Sequence, residues 1–159
     1  MNKTPLYLIT LLGAASVANA AVFSWADGSN GGEWSTAANW GSTEVPGDTA
    51  VDSARLYGGG DYATVTVDRD SSSLFDVGVR QGSSIDISAN FGDVRRFDIG
   101  TTGSLALTST INQSAGTTRF RDYLRLGTTG KNAISSYNVS GTANLTSFGA
   151  ADITLSDLG

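Results

Sequence analysis

Beyond residue 20 the chain carries short apolar or alternating runs and no long helical one. Ala63–Val67 (ATVTV) alternates cleanly between apolar and polar residues. LFDVGV (74–79), IDI (85–87), FDI (97–99), LAL (105–107), YLRL (123–126), YNV (137–139), ANL (143–145) and ITL (153–155) follow, separated by Gly, Ser, Thr, Asn and Asp. Their spacing of about ten residues and their two-residue alternation predict an all-β chain with turn chemistry between strands.

The runs resemble one another. FDIGTTG (97–103) and LRLGTTG (124–130) match in phase 27 residues apart, and a shorter SDLG (156–159) reads as the start of a third copy. NQSAGT (112–117) and YNVSGT (137–142) form a second, related signal. Repeats of this length suit a solenoid, and short strands with tight turns suit a parallel β-helix in which each coil stacks on the last. Aligning the copies places Ile99 beside Leu126 and Leu158, and Phe97 beside Leu124, with these apolar residues facing inward. Asp98, Arg125 and Asp157 then form an outer ladder of alternating charge, each opposite pair contributing roughly 0.2–1 kcal/mol.

The first twenty residues read differently. Lys3, the apolar run PLYLITLLGAASV and the small-x-small triplet Ala18-Asn19-Ala20 form a secretory leader, cut after Ala20. No later stretch is apolar enough to span a membrane. The remainder divides into a Trp-rich region at 21–60 and repeats at 61–159. Because the repeats stop inside a copy, the natural chain is expected to be longer. A β-helix open at one end is also expected to self-associate there.

Composition narrows the chemistry. The chain has 15 acidic and 10 basic residues, a net charge of −5, and all but Glu33 and Glu44 of its acids are Asp, which favours turns over helices. An acidic chain lacks the basic footprint of a nucleic-acid partner. With no His and no Cys, a Ser-His-Asp triad, a cysteine nucleophile and the usual zinc sites are excluded. Calcium is the ion that Asp and carbonyl oxygens suit, but neither an EF-hand loop nor a tandem G-G-x-G-x-D nonapeptide is present.

All three tryptophans fall in FSWADGSNGGEWSTAANWGSTEVPGDTA (23–50). Trp25, Asp27, Gly28, Trp34, Asn39, Trp40, Pro46, Asp48 and Ala50 form a pattern that resembles the opening motif of bacterial secreted parallel β-helix proteins. These are the autotransporter passenger-like and PEP-CTERM-type exported proteins, whose Gly/Thr repeats the later sequence also resembles. The resemblance implies a right-handed β-helix in secreted or cell-surface material and carries over no catalytic residue. Terminal repeats of a solenoid need caps, so Trp25, Trp34 and Trp40 are expected to cover its first coil, their indole N–H groups reaching loop carbonyls. The competing reading makes them a platform for sugar rings.

TRFRDYLRL (118–126) holds a second candidate. Alternation puts Phe120, Leu124 and Leu126 on one face, with Asp122 an awkward member. Arg119, Arg121, Tyr123 and Arg125 share the other, as a stripe able to hold acidic extracellular polysaccharide through guanidinium–carboxylate bonds and ring stacking. In the competing reading these arginines pair with Asp on adjacent coils. Asp68-Arg69-Asp70 is the tightest acidic cluster and reads as a solvated turn, since glycoside hydrolysis needs two carboxylates facing across a bond. Lys131, the only lysine after the leader, sits alone in a turn. The expected function is non-enzymatic, structural or adhesive. The alternative is a carbohydrate-binding or polysaccharide-degrading protein with its active site at the edge of this segment or outside it.

Overall fold

The computed structural model describes residues 20–26, 31–48, 52–56, 63–71, 73–100, 107–127 and 134–155. Residues 1–19 of the expected leader, Asp27, Gly28, Ala50, most of the LAL run, Lys131, Asp157 and Leu158 lie outside them. Twelve strands and one 3-10 turn are the elements of the described residues. They are β1 (Val22–Ser24), β2 (Gly32–Glu33), the turn Ala37–Trp40, β3 (Asp52–Leu56), β4 (Thr64–Val67), β5 (Ser73–Arg80) and β6 (Ser84–Ile87). There follow β7 (Gly92–Gly100), β8 (Thr108–Gln113), β9 (Thr117–Leu126), β10 (Ile134–Val139), β11 (Asn144–Ser147) and β12 (Asp152–Leu155).

The strands form two sheets, and every pairing is parallel. One sheet runs β1-β3-β5-β7-β9-β11, with β12 also beside β9; the other runs β10-β8-β6-β4-β2. The chain therefore visits the sheets in turn, and each return lays a strand beside the one laid before it. Neighbouring parallel strands need a long crossover, usually helical. Here the crossover contains a strand of the opposite sheet instead, an arrangement compatible with a β-helix-like solenoid.

Register stacks like on like. Val65, Ile85 and Ile111 face one another along one sheet. Ala54, Val77, Phe97 and Leu124 do so along the other, with Leu56, Val79, Ile99 and Leu126 two residues further on. These side chains, buried save for the half-buried Leu126, form the core between the sheets. Alternation causes this: every second residue points inward, and equal phase on successive strands turns isolated apolar positions into continuous columns. The columns open at the last described strands, where Val139, Ile153 and Leu155 are exposed.

The 27-residue spacing read from the sequence holds in the register, with Phe97 facing Leu124, Asp98 facing Arg125 and Ile99 facing Leu126. The third copy does not continue it. Leu155 rather than Leu158 faces Leu126, and Thr154 rather than Asp157 faces Arg125. ITL supplies apolar residues at the two inward positions, Ile153 and Leu155, and so takes the place assigned to SDLG. The expected charge ladder is altered too, because Asp98 forms its ion pair with Arg80. The Trp-rich region shares these pairings, with β1 in register with β3, and β2 with β4.

Polar positions are also stacked. Asn112 donates to Asp86 (2.8 Å) and accepts from Asn138 (2.9 Å), forming an outer ladder across three strands, β6, β8 and β10. Gln113 occupies an inward position with no exposed surface. Its amide donates to the Gly116 carbonyl (3.0 Å), and its carbonyl accepts from the Tyr137 hydroxyl (2.9 Å). A buried amide with both ends bonded avoids the penalty of an unpaired polar group.

Candidate functional site

The site grows from a bulge in β9. Val94 faces Phe120 and Arg96 faces Tyr123, so Arg95 alone stands opposite both Arg121 and Asp122. An extra residue of this kind bends a strand and re-aims its side chains. The strands that follow make the bend explicit: β11 pairs with the first part of β9 (Thr117–Phe120) and β12 with the last (Tyr123–Leu126). The bulge frees Asp122 from the inward position that strict alternation would give it. Asp122 accepts hydrogen bonds from Arg95 (2.6 Å) and Arg96 (3.3 Å). Desolvation pulls its carboxyl upward, but the hydrogen bonds and charges of the two arginines outweigh this and hold it below the usual carboxylate value.

The expected stripe is divided by this corner. Arg119 lies before it and pairs with Asp93 at 2.6 Å. Tyr123 and Arg125 lie after it, the guanidinium 4.6 Å from the ring centroid. Arg121 sits at the corner itself, exposed, its guanidinium without a carboxylate partner among the described residues. The pairing of arginines with Asp on adjacent coils thus accounts for Arg119 and not for Arg121.

Arg121 lines an open cleft of about 210 Å³. Phe75 and Phe148 bound it, with Ser73 and the buried Leu74 beneath, and Arg95 and Asp93 alongside. The guanidiniums of Arg95 and Arg96 lie 5.1 and 4.8 Å from the Phe75 centroid, and that of Arg119 lies 5.3 Å from the Phe148 centroid. Such contacts hold long cationic side chains against apolar surface. Of the two cations facing the cleft, Arg95 is engaged by Asp122 and Arg121 is free to meet a ligand. Among the described residues its one lining carboxylate, Asp93, is engaged by Arg119. Nearby, burial and then the charge of Asp98 raise the Asp76 carboxyl above its ordinary value.

Phe75, Arg95 and Phe148 were not singled out in the sequence. Phe75 lay inside the run LFDVGV, read as a regular strand, and Arg95 lay between the runs IDI and FDI, where no strand was read. Phe148 stands alone before a glycine and carried no pattern.

The tryptophans belong to packing. Trp34 has no exposed surface and Trp40 is 4% exposed, so neither offers a ring face to a sugar; Trp25 is half-buried. The Trp34 indole donates to the Pro46 carbonyl (3.0 Å) and that of Trp40 to the Trp34 carbonyl (2.9 Å). They begin a line of ring contacts that passes from Trp25 through Trp40, Trp34, Phe91 and Phe97 to Tyr137, with centroids 4.7–6.3 Å apart.

The residues of the Asp68-Arg69-Asp70 turn each bond to a segment distant in sequence. Asp68 accepts from the Ser35 amide (3.0 Å), Arg69 pairs with Asp48, and Asp70 accepts from the Asn90 amide (2.9 Å). Burial would raise the Asp68 carboxyl, but the Ser35 hydrogen bonds prevail and lower it. Among the described residues no group of three or more His, Cys, Asp or Glu is placed to hold a metal ion. None of their helices is long and apolar enough to cross a membrane. In comparisons with protein-family models, curated sequences and solved structures, nothing matches this chain.

Proposed function

We propose that this chain is a right-handed parallel β-helix module, secreted or held at a bacterial cell surface, whose work is structural and adhesive rather than catalytic. The observation that carries the reading is the alternation of strands between two parallel sheets, each in register with the strand one coil earlier. Crossovers between parallel strands are almost always right-handed, and a stack of such coils is stiff and extended. The chemistry of the cleft supports the non-catalytic part: its one carboxylate is engaged by an arginine, whereas bond cleavage in a sugar chain calls for two working groups.

Production of the full chain in a bacterial host tests this. The expected result is protein outside the cell or on its surface, lacking residues 1–20, that increases retention of cells on polysaccharide-coated surfaces and releases no new sugar ends. Protein confined to the cytoplasm, or release of reducing or unsaturated ends from the coat, would overturn the proposal.

A further inference from the structure

We infer that the corner cleft binds a carboxylate-bearing polysaccharide, with Arg121 as the residue that meets the sugar carboxylate. The inference deepens the adhesive reading, and rests on it for an extracellular setting in which such a polymer is met.

The register arranges the cleft as a ladder. Phe75 on β5 stands opposite Arg95 on β7, and Arg95 opposite Arg121 at the β9 bulge. Phe148 follows Ser147, which faces Phe120 in the next coil. Four successive coils thus present ring, cation, cation, ring along one corner. Three inter-strand steps span about 14 Å, a length suited to an oligosaccharide rather than a single sugar. The rings offer apolar surface to the C–H faces of sugars, and a guanidinium offers a planar fork that matches a carboxylate in two parallel hydrogen bonds.

Charge selects the ligand class. The chain as a whole is acidic and repels polyanions at long range, yet at this corner Arg95, Arg96, Arg119, Arg121 and Arg125 are set against Asp93 and Asp122. Both carboxylates are engaged by arginines of the cluster, Asp122 by Arg95 and Arg96 and Asp93 by Arg119, so the cluster keeps an excess of positive charge and Arg121 and Arg125 have no carboxylate partner within it. Aromatic surface beside an unpaired guanidinium favours a carboxylated sugar over a neutral polymer, which would leave the cation without a partner, and over a simple anion, which would leave the rings unused.

The test is binding of the purified full chain to polygalacturonate, to its methyl-esterified form and to dextran sulfate, at low and high salt. Saturable binding to polygalacturonate is expected, with loss on esterification. Arg121→Gln should weaken it about tenfold, and Arg121→Lys should restore it only in part. Phe148→Ala should weaken it while leaving its salt dependence intact. Arg69→Gln, away from the cleft, should bind as the natural chain does. Arg121 is exposed and unpaired, so its variants should keep the natural near-UV circular dichroism, which separates loss of binding from loss of fold. Equal binding by Arg121→Gln, equal binding to the esterified polymer, or binding to dextran sulfate alone would overturn the inference. Binding in this assay without retention of cells on coated surfaces would sink the adhesive reading and leave the cleft intact. Retention that Arg121→Gln does not diminish would do the reverse.

Discussion

Trp34 shows how much one side chain contributes here. It is fully enclosed, packs edge-on against Trp40 and Phe91, and sends its indole N–H to a loop carbonyl. Such ring pairs contribute about 0.5–1.5 kcal/mol each beyond area burial. Clustering of the tryptophans and bonding of indoles to loop carbonyls were legible in the sequence. The run of contacts onward through Phe91 and Phe97 was not, because residues distant in sequence become neighbours only when the parallel strands pair. Tyr137 ends that run, and burial pushes its phenol well above the ordinary tyrosine value. An unfolded chain releases this proton near pH 10 while the folded chain retains it, so the contribution is complete below about pH 10 and falls as pH rises further. Alkaline absorbance titration should show one tyrosine ionising only with unfolding, and Tyr137→Phe should shrink the loss of stability above pH 10. Ionisation of all tyrosines at the ordinary pH in the folded chain would contradict this.

At the scale of elements, two-residue alternation predicted most strands in place, β4, β5, β6, β10 and β12 among them. It failed where strands bend. The bulge at Arg121 and Asp122 splits one apparent stripe into two faces and a corner, and no local pattern announces which residue is the extra one. β1, β2 and β3 escaped notice because they are short and lie among Gly, Ser and Asn, whose turn propensity outweighs a single Phe23 or Ala54. Turns limit how closely coils approach. At Gly116, with φ +71°, an added Cβ would lie 2.1 Å from the Ala89 carbonyl oxygen in the neighbouring turn between β6 and β7. Gly116→Ala should therefore lower stability by more than about 1 kcal/mol, measured by urea unfolding, because the backbone conformation and the inter-coil clash act together. An unchanged midpoint would show that the coils are not packed so closely there.

At the scale of the molecule, the fold joins short-range alternation to a long-range repeat. The repeat was legible where its length stays near 27 residues and obscure where loops change it, as between Val77 and Phe97 or between Phe23 and Ala54. Residues 21–60 contribute three strands to the two sheets, β1, β2 and β3, at spacings that the repeat does not show. The same stacking that builds the apolar core builds the outer Asp86-Asn112-Asn138 ladder and the corner cleft, so each depends on parallel register holding across coils. That register is the central claim, and a chain with no cysteine allows it to be read directly by introduced pairs. Asn112 and Asn138 face each other on neighbouring parallel strands, about 4.8 Å apart, within disulfide reach. Asn112→Cys with Asn138→Cys should close an intramolecular disulfide under mild oxidation, while Asn112→Cys with Tyr137→Cys should not, because position 137 points to the opposite side of the sheet. Preferential closure of the 112–137 pair, or closure of neither, would contradict the stacked parallel arrangement on which the fold and the site are built.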